Sequence, residues 1–323
     1  MRFQAYEDVW DGSRVVVLKD TLHDSEAMIN LDIGFNVIRC RLGGHETIES
    51  PEDLSVLSAR SSEFGVPLLW PPGRIAGGKF SFEGRPYTYP LHEGVNHLHG
   101  EIRMMPWQIS GMEANESQGA NVTAEMHFTE TDVNPAYYPH AVVLRMTWQL
   151  QGDRISGRLI VENEGETEVP FGFGLHPYFS FRGGMGGTDV TAAVTQQYFA
   201  DEDGIMRNIP VQTKLCQDLL VGMPLDKLPT DTDHFVFRMD QDVHCCEIIR
   251  HQEQIRIKLE FDQSFPYLVV FKPLWADAIS FEPWTCVSDA NNSPLPPEWS
   301  GVSGLPAGAC RELQWSWQAE SLA

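Results

Sequence analysis

The amino-acid sequence predicts an all-β protein, a large antiparallel β-sandwich with few short helices. Short runs rich in β-branched and aromatic residues recur along the whole chain, with turn residues between them. Several of these runs alternate apolar and polar residues with a period of two, which is typical of a strand with one buried face. No linker or change of composition divides the sequence, so we expect a single domain over residues 1–323.

The first third of the chain combines strand-like runs with a helix signal and a hairpin signal. Ser50 precedes Pro51 and two acidic residues, an order that favours a helix start, because serine caps a helix and proline fits its first turn. Aromatic and polar residues alternate on both sides of Glu83-Gly84, which predicts a hairpin over residues 80–89. Strands are predicted at 14–19, 27–32 and 35–42.

Between the helix and the hairpin, the prolines of segment 67–75 predict an irregular, fixed loop. Beyond the hairpin the chain returns to strands, and Glu282 stands where we expect an apolar strand to give way to a turn at Pro283. A short helix is predicted within 215–232. Further strands are predicted within 120–162 and at 254–261, 267–271, 278–281 and 313–318.

Charge and composition exclude several classes of partner. The net charge is −22 and the isoelectric point about 4.8, so the overall field repels nucleic-acid phosphates and anionic membrane surfaces. The first twelve residues contain no apolar segment of a secretion signal, and no run of about 18 apolar residues occurs. We therefore expect a cytoplasmic protein that acts on a small molecule, with no nucleic-acid or membrane partner; the oligomeric state is not indicated.

Two titratable residues stand in apolar, aromatic surroundings. His176 lies within Gly-Phe-Gly-Leu-His-Pro-Tyr-Phe, where a ring that titrates near neutrality suits acid–base catalysis. The alternative is a core histidine that hydrogen-bonds a backbone carbonyl. Glu282 precedes Pro-Trp, a position where desolvation raises a carboxyl pKa. Its alternative is a glutamate at a strand end that faces water.

Aromatic rings accompany polar residues in the same few segments of the chain. Sugars present apolar C–H faces and a rim of hydroxyls, which such pairs fit, although for any single ring a place in the core is the alternative. The rings are Trp70, Trp107, Tyr178 and Trp284, and the polar residues of their segments are Arg74, His99, His176 and Glu282.

A metal site is a weaker hypothesis. His97 and His99 are two residues apart and would share one face of an extended segment. A protein metal site needs three or four ligands, and no third ligand stands at a recognisable spacing. The sequence therefore predicts no metal.

Four segments together resemble the aldose 1-epimerases, the galactose mutarotase type of enzyme. Their order and spacing span most of the chain. The segments are Gly73-Arg74-Ile75, Asn96-His97-Leu98-His99-Gly100 through Pro106-Trp107, Gly174-Leu175-His176-Pro177-Tyr178-Phe179, and Phe281-Glu282-Pro283-Trp284-Thr285.

The resemblance implies a single β-supersandwich domain that interconverts the α and β anomers of a free aldose without a metal or an organic cofactor. By position, His176 is similar to the general acid of the family and Glu282 to its general base. Arg74 and His99 are similar to its sugar-binding pair, and Trp284 adds an aromatic face. The family also uses an aspartate ahead of an aromatic strand, for which Asp233 is our choice and Asp231 the alternative.

Two other functions remain open from the sequence. The first is an epimerase for a hexose 6-phosphate, with Arg74, Lys79, Arg85, Arg103 and Lys272 as candidate phosphate ligands; the negative net charge disfavours it. The second is a non-catalytic carbohydrate-binding protein on the same scaffold. Such a protein has no need of His176 together with Glu282, so their joint presence favours catalysis.

Overall fold

The structure, a computed structural model, describes residues 1–130, 134–182, 184–230, 232 and 234–322. Within these residues the chain forms 27 strands and four short α-helices. The first strands are β1 (Phe3–Trp10), β2 (Ser13–Asp20), β3 (Ser25–Asn30), β4 (Asn36–Leu42), β5 (His45–Glu46), β6 (Leu68–Leu69), β7 (Arg74–Ala76), β8 (Lys79–Phe82), β9 (Arg85–Thr88) and β10 (Asn96–Leu98). Next come β11 (Gln108–Asn115), β12 (Gly119–His127), β13 (Val142–Gln151), β14 (Arg154–Asn163), β15 (Val169–Phe171), β16 (Gly174–Leu175), β17 (Tyr178–Ser180), β18 (Thr188–Ala192) and β19 (Val194–Tyr198). The last are β20 (Met223–Pro224), β21 (His234–Met239), β22 (Cys245–Arg250), β23 (Ile255–Phe261), β24 (Tyr267–Phe271), β25 (Ala278–Trp284), β26 (Ser303–Leu305) and β27 (Cys310–Ser321). The helices are α1 (Leu54–Ala59), α2 (Asn134–Tyr137), α3 (Lys214–Val221) and α4 (Pro297–Ser300).

Three large antiparallel sheets contain most of the strands, and three two-stranded sheets, β7-β10, β8-β9 and β15-β26, accompany them in the described part of the chain. A five-stranded sheet has the order β1-β2-β3-β4-β5, and a nine-stranded sheet has the order β11-β12-β13-β14-β27-β23-β22-β18-β20. A seven-stranded sheet has the order β19-β21-β24-β25-β16-β6, with β17 also paired to β25. Buried apolar residues of all three sheets belong to one common core. The predicted β-sandwich with few short helices is confirmed.

The seven-stranded sheet is covered on both faces, which explains the apolar runs in its central strands. On β25, Ile279 and Phe281 point into the common core. Trp284 belongs to a second apolar cluster on the other face, and Glu282, two residues before it, shares that face. The expectation that Glu282 follows the end of its strand is wrong, because β25 continues to Trp284 and pairs Glu282 with Val269.

Local turn chemistry was predictable in the hairpin but less so in the helix. Glu83 and Gly84 have φ values of 48° and 76°, as the two central residues of a hairpin turn with positive φ require. Helix α1 begins later than predicted: Asp53, not Ser50, caps it, because its carboxylate accepts the Val56 backbone N–H at 2.9 Å. The proline-rich segment 67–75 is also less irregular than predicted, since it contains β6 and the start of β7.

No helix in the described part of the chain is long and apolar enough to cross a membrane.

Candidate active site

A cavity of about 400 Å³ opens on the second face of the seven-stranded sheet. Its walls come from β24 and β25, from the connection between β16 and β17, and from the segments around β7 and β10. Six residues predicted from the sequence line it together: Arg74, His99, His176, Tyr178, Glu282 and Trp284. Segments more than 200 residues apart in the chain therefore meet at one place.

The ring of His176 is fixed by its neighbours. The residue lies between β16 and β17, and its backbone N–H donates to the Pro67 carbonyl at 3.0 Å. Its ring stacks on that of Tyr178, with centroids 4.6 Å apart and an interplanar angle of 7°. Nδ1 lies 3.0 Å from the Ser280 hydroxyl oxygen. With Nδ1 engaged in this way, Nε2 is the ring nitrogen that meets Glu282.

The carboxylate of Glu282 forms the other half of this pair. Its Oε1 lies 3.3 Å from Nε2 of His176, and the residue is 1% exposed. Its second oxygen, Oε2, is buried and has no hydrogen-bond partner among the residues that the structure describes. Because buried polar atoms in proteins are normally paired, this oxygen is available to a hydroxyl of a ligand.

Burial controls the protonation of this pair. It raises the pKa of the Glu282 carboxyl well above its ordinary value, against smaller opposing effects of the Trp284 indole and the Arg74 charge. Burial also lowers the pKa of His176. Both shifts favour the state in which the two side chains together hold one proton and carry no net charge.

The protonation of His99 follows from its backbone contacts. Its N–H donates to the Gly73 carbonyl at 2.8 Å, and the Gly73 N–H donates to Nδ1 of His99 at 3.2 Å. Since Nδ1 accepts a hydrogen bond, the proton of the neutral ring is on Nε2. Burial lowers the pKa of His99 well below its ordinary value, so the ring is neutral. His99 thus offers the cavity a hydrogen-bond donor, Nε2–H.

Arg74 is held by a carboxylate that sequence reasoning missed. Its Nε and Nη2 donate to the two carboxylate oxygens of Glu93 at 2.7 and 2.6 Å. Glu93 lines the same cavity and neutralises the guanidinium charge there. It belongs to no motif of the sequence, and only its position in space connects it with Arg74.

Gly73, just before Arg74, could not carry a side chain. Its φ is +71°, and a Cβ atom would lie 2.3 Å from the Ser288 hydroxyl oxygen and 2.9 Å from the Trp284 ring. This close approach lets the segment before β7 pass directly beside the aromatic wall of the cavity.

Aromatic residues form part of the cavity wall. Trp284 is 4% exposed, and Phe271 and Trp275 also line the space. Trp275 is 38% exposed, with the Arg60 guanidinium 4.2 Å from its ring centroid. The sequence did not mark Trp275, because its neighbours Leu274 and Ala276 are apolar and it stands in none of the four motif segments. Other lining residues without a sequence signal are Ser62, Glu63 and His234.

Two aromatic residues predicted to contact a ligand belong to the core instead. Trp70 is 2% exposed and packs edge-on against Phe171, with centroids 5.2 Å apart. Trp107 is fully buried and stacks on Phe35 at 5.6 Å. The ligand interpretation is wrong for both, because their rings fill the space between sheets.

Asp233 and its alternative Asp231 lie outside the described residues.

The cations proposed for a phosphate pocket do not converge. Among the described residues that line the cavity, Arg74 is the one arginine or lysine, and it is paired with Glu93. Arg103 is buried elsewhere and donates to the Gly100 carbonyl. Lys79, Arg85 and Lys272 also lie outside the cavity lining.

The aldose 1-epimerase family matches residues 18–300, a range that contains all four segments of the site. The chain belongs to the aldose 1-epimerase family. This membership implies a small-molecule sugar as substrate. A relative is Uncharacterized protein YihR of Escherichia coli (strain K12), which is 25% identical over 239 residues, 72% of this chain and 73% of that protein.

Solved structures of other members share the fold. A galactose mutarotase-like protein from Clostridium acetobutylicum superposes with a TM-score of 0.90 at 19% identity, over 99% of each chain. The galactose 1-epimerase from Lactobacillus acidophilus NCFM superposes with a TM-score of 0.78 at 16% identity, over 99% of this chain and 98% of that one. The predicted galactose mutarotase-like fold is thereby confirmed.

Proposed function

We propose that this aldose 1-epimerase family member interconverts the α and β anomers of a free, unphosphorylated aldose. The observation that carries the proposal is the buried contact of 3.3 Å between Glu282 and His176 at a cavity that also presents Arg74 and His99. An acid and a base within reach of one hydroxyl and one ring oxygen are what opening a hemiacetal requires.

The reaction needs two proton transfers. Glu282 removes the proton of the C1 hydroxyl while His176 donates one to the ring oxygen, the C1–ring oxygen bond breaks, and an open-chain aldehyde forms. Rotation about the C1–C2 bond turns the other face of the aldehyde to the ring-closing hydroxyl, and both proton transfers reverse. Positioned acid–base groups typically contribute about 10²–10⁴ each to the rate.

The reactive form is one proton transfer away from the form that burial favours. Burial favours the proton on Glu282, with neutral His176. The reactive form, carboxylate and imidazolium, holds the same number of protons and arises when one proton crosses the 3.3 Å contact. The positive charge of Arg74 and a sugar hydroxyl on Oε2 both stabilise the Glu282 carboxylate.

The charges around the cavity support a neutral substrate. Glu63 and Glu93 line it together with Arg74, the one guanidinium among the described lining residues, while Glu282 and His176 together carry no net charge. A 6-phosphate would add about two negative charges to a site whose cation already has a partner. The phosphosugar alternative is therefore disfavoured.

Polarimetry tests the proposal. Freshly dissolved α-D-glucose, α-D-galactose and their 6-phosphates are followed with and without EDTA. We expect faster mutarotation of at least one free sugar, with or without the chelator, because the groups that move protons are protein side chains. A preference of more than tenfold in kcat/KM for a 6-phosphate would replace the proposal by the phosphosugar alternative. Tight sugar binding without acceleration would favour the non-catalytic alternative.

Arg74→Ala is expected to raise KM more than it lowers kcat. A residue that holds sugar hydroxyls in both ground and transition states contributes mainly uniform binding. Steady-state polarimetry of the purified variant measures both constants. Arg85→Ala, which removes an exposed arginine of the hairpin, is the control for charge loss. An unchanged KM in a folded Arg74→Ala protein would remove Arg74 from the binding site.

The pH profile of kcat/KM is expected to be bell-shaped. On the acid side, the pair of Glu282 and His176 takes up a second proton and no base remains. Because burial lowers the pKa of His176, this acid limb lies below the ordinary histidine pKa of about 6.5. On the alkaline side, the pair loses its one proton and no acid remains. Because burial raises the pKa of Glu282, this alkaline limb lies well above the ordinary glutamate pKa of about 4.3. An alkaline limb at or below the ordinary glutamate value, or an acid limb above the ordinary histidine value, would contradict these shifts.

A further inference from the structure

A second group of ligating side chains lies beside the cavity but outside its lining. His92 stands on the loop between β9 and β10, His97 on β10, and Glu101 just after it. Each offers one ligand atom, and these atoms all lie within 4.8 Å of one another. His97 is fully buried and Glu101 is 6% exposed, whereas the side chain of His92 is 31% exposed.

We propose that His92, His97 and Glu101 bind a divalent transition-metal ion, with Zn²⁺ as the most suitable. Two imidazoles and one carboxylate form a common zinc ligand set, with solvent completing the coordination on the open side. His92 Nε2 and Glu101 Oε1 are 3.5 Å apart. In a tetrahedral site with bonds of about 2.1 Å, neighbouring ligand atoms lie roughly 3.4 Å apart, so this pair already has the required spacing.

Two buried polar atoms support the site independently of this distance. Nε2 of His97 and Oε1 of Glu101 are both buried without a hydrogen-bond partner in the part of the chain that the structure describes. Unpaired buried polar atoms are costly and uncommon, and a bound cation would satisfy both of them. Because His92 and Glu101 are already 3.5 Å apart, the spread of up to 4.8 Å lies between this pair and His97, and it closes by a joint movement of the His92 and Glu101 side chains.

The second ring nitrogen of His97 is held as in known metal sites. Its Nδ1 lies 2.8 Å from the Pro90 carbonyl, which can only accept, so Nδ1 carries the proton. Nε2 is therefore left with its lone pair free. A carbonyl that fixes the tautomer of a metal-binding histidine is a usual second-shell contact.

Arg103 is the cation that competes for Glu101. It lies two residues further along the chain, and its guanidinium donates to the Gly100 carbonyl. Oε1 of Glu101 has no hydrogen-bond partner among the described residues, and its nearest basic groups are His92 Nε2 at 3.5 Å and His97 Nδ1 at 3.8 Å. The net charge of −22 favours the approach of a cation over its exclusion.

Such an ion would tie together two segments of the cavity wall. His92 immediately precedes Glu93, the partner of Arg74, while His97 and Glu101 belong to the segment that carries His99. The site is structural, since none of its three side chains lines the cavity. The metal hypothesis weighed from the sequence paired His97 with His99, but their rings lie in different clusters, against His92 and His176 respectively.

The test titrates the EDTA-treated full-length chain with ZnCl2 by calorimetry, and with Co²⁺ by its visible absorption. We expect one Zn²⁺ per chain, and a melting temperature raised by about 4 °C at a hundredfold excess over Kd. His92→Ala and Glu101→Gln should each weaken Zn²⁺ binding at least tenfold and change the Co²⁺ spectrum. His92→Ala is the decisive variant, because its ring is partly exposed and its removal spares the core.

The matched controls are His251→Ala and Cys310→Ser, which remove an exposed histidine and an exposed thiol elsewhere. Both should bind Zn²⁺ as the wild type does. Equal Zn²⁺ affinity of His92→Ala and wild type, or no stoichiometric binding by the wild type, would overturn the proposal. Neither outcome bears on the mutarotase proposal, because activity in EDTA is measured separately.

Discussion

Glu282→Gln is expected to lower kcat by at least about 10² while sugar binding persists. Glutamine keeps the shape of the side chain and its hydrogen bonding at Oε1, but it cannot remove the C1 hydroxyl proton. Polarimetry gives kcat, and calorimetric titration with sugar gives the affinity. Glu113→Gln, at an exposed strand position, is the control for loss of one carboxylate. Near-normal activity of a folded Glu282→Gln protein would refute the mechanism.

His176→Asn should reduce kcat to a similar extent, because the acid and the base act in one concerted step. The double variant should then be little worse than either single variant, since losses of groups that work as a unit are not additive. Independent, multiplicative losses in the double variant would show that the two residues serve different steps.

Gly100→Ala is expected to destabilise the protein by about 3 kcal/mol or more. Gly100 has φ +64°, and a Cβ atom there would lie 1.7 Å from the Trp70 carbonyl oxygen, which is backbone and cannot rotate away. The chain must shift to make room, and His99, the residue before it, shifts with it. Urea unfolding measures the stability, and a raised KM would report the displaced His99.

Gly77→Ala separates the clash from backbone strain. Gly77 has a similar φ of +58°, but a Cβ atom there meets nothing within 4 Å. Gly77→Ala should therefore lower the free energy of unfolding only by the cost of placing alanine in the left-handed conformation, about 1 kcal/mol. If both variants lost the same stability, the contact with Trp70 would not be what requires glycine at position 100.

The fold could be predicted from sequence because its strands are marked by local chemistry. The strict alternation of 254–261 became β23, and the positive-φ pair Glu83-Gly84 made the predicted hairpin turn. Helix and strand ends were less predictable, since they depend on competing contacts. Asp53 displaced Ser50 as the cap of α1, and pairing with β24 carried β25 past Glu282 to Trp284.

The site residues also fall into those that a sequence motif marks and those that only the fold brings into place. His176, Glu282, Arg74 and His99 stand in local motifs, and the structure brings all four together. Glu93 lies in an irregular loop, so its role appears only through its contact with Arg74. Trp70 and Trp107 resembled site aromatics because the sequence does not tell which side of a segment faces the core.

The hydrogen bonds between Gly73 and His99 make the segments of Arg74 and His99 one mechanical unit. A substitution on either segment therefore also displaces the other, so the sugar contacts that we propose for Arg74 and His99 cannot be changed one at a time. Glu63 and Trp275 line the cavity from segments outside this unit. A library meant to alter sugar preference would do best to vary those two positions first, where new side chains change the cavity and leave the anchored pair in place.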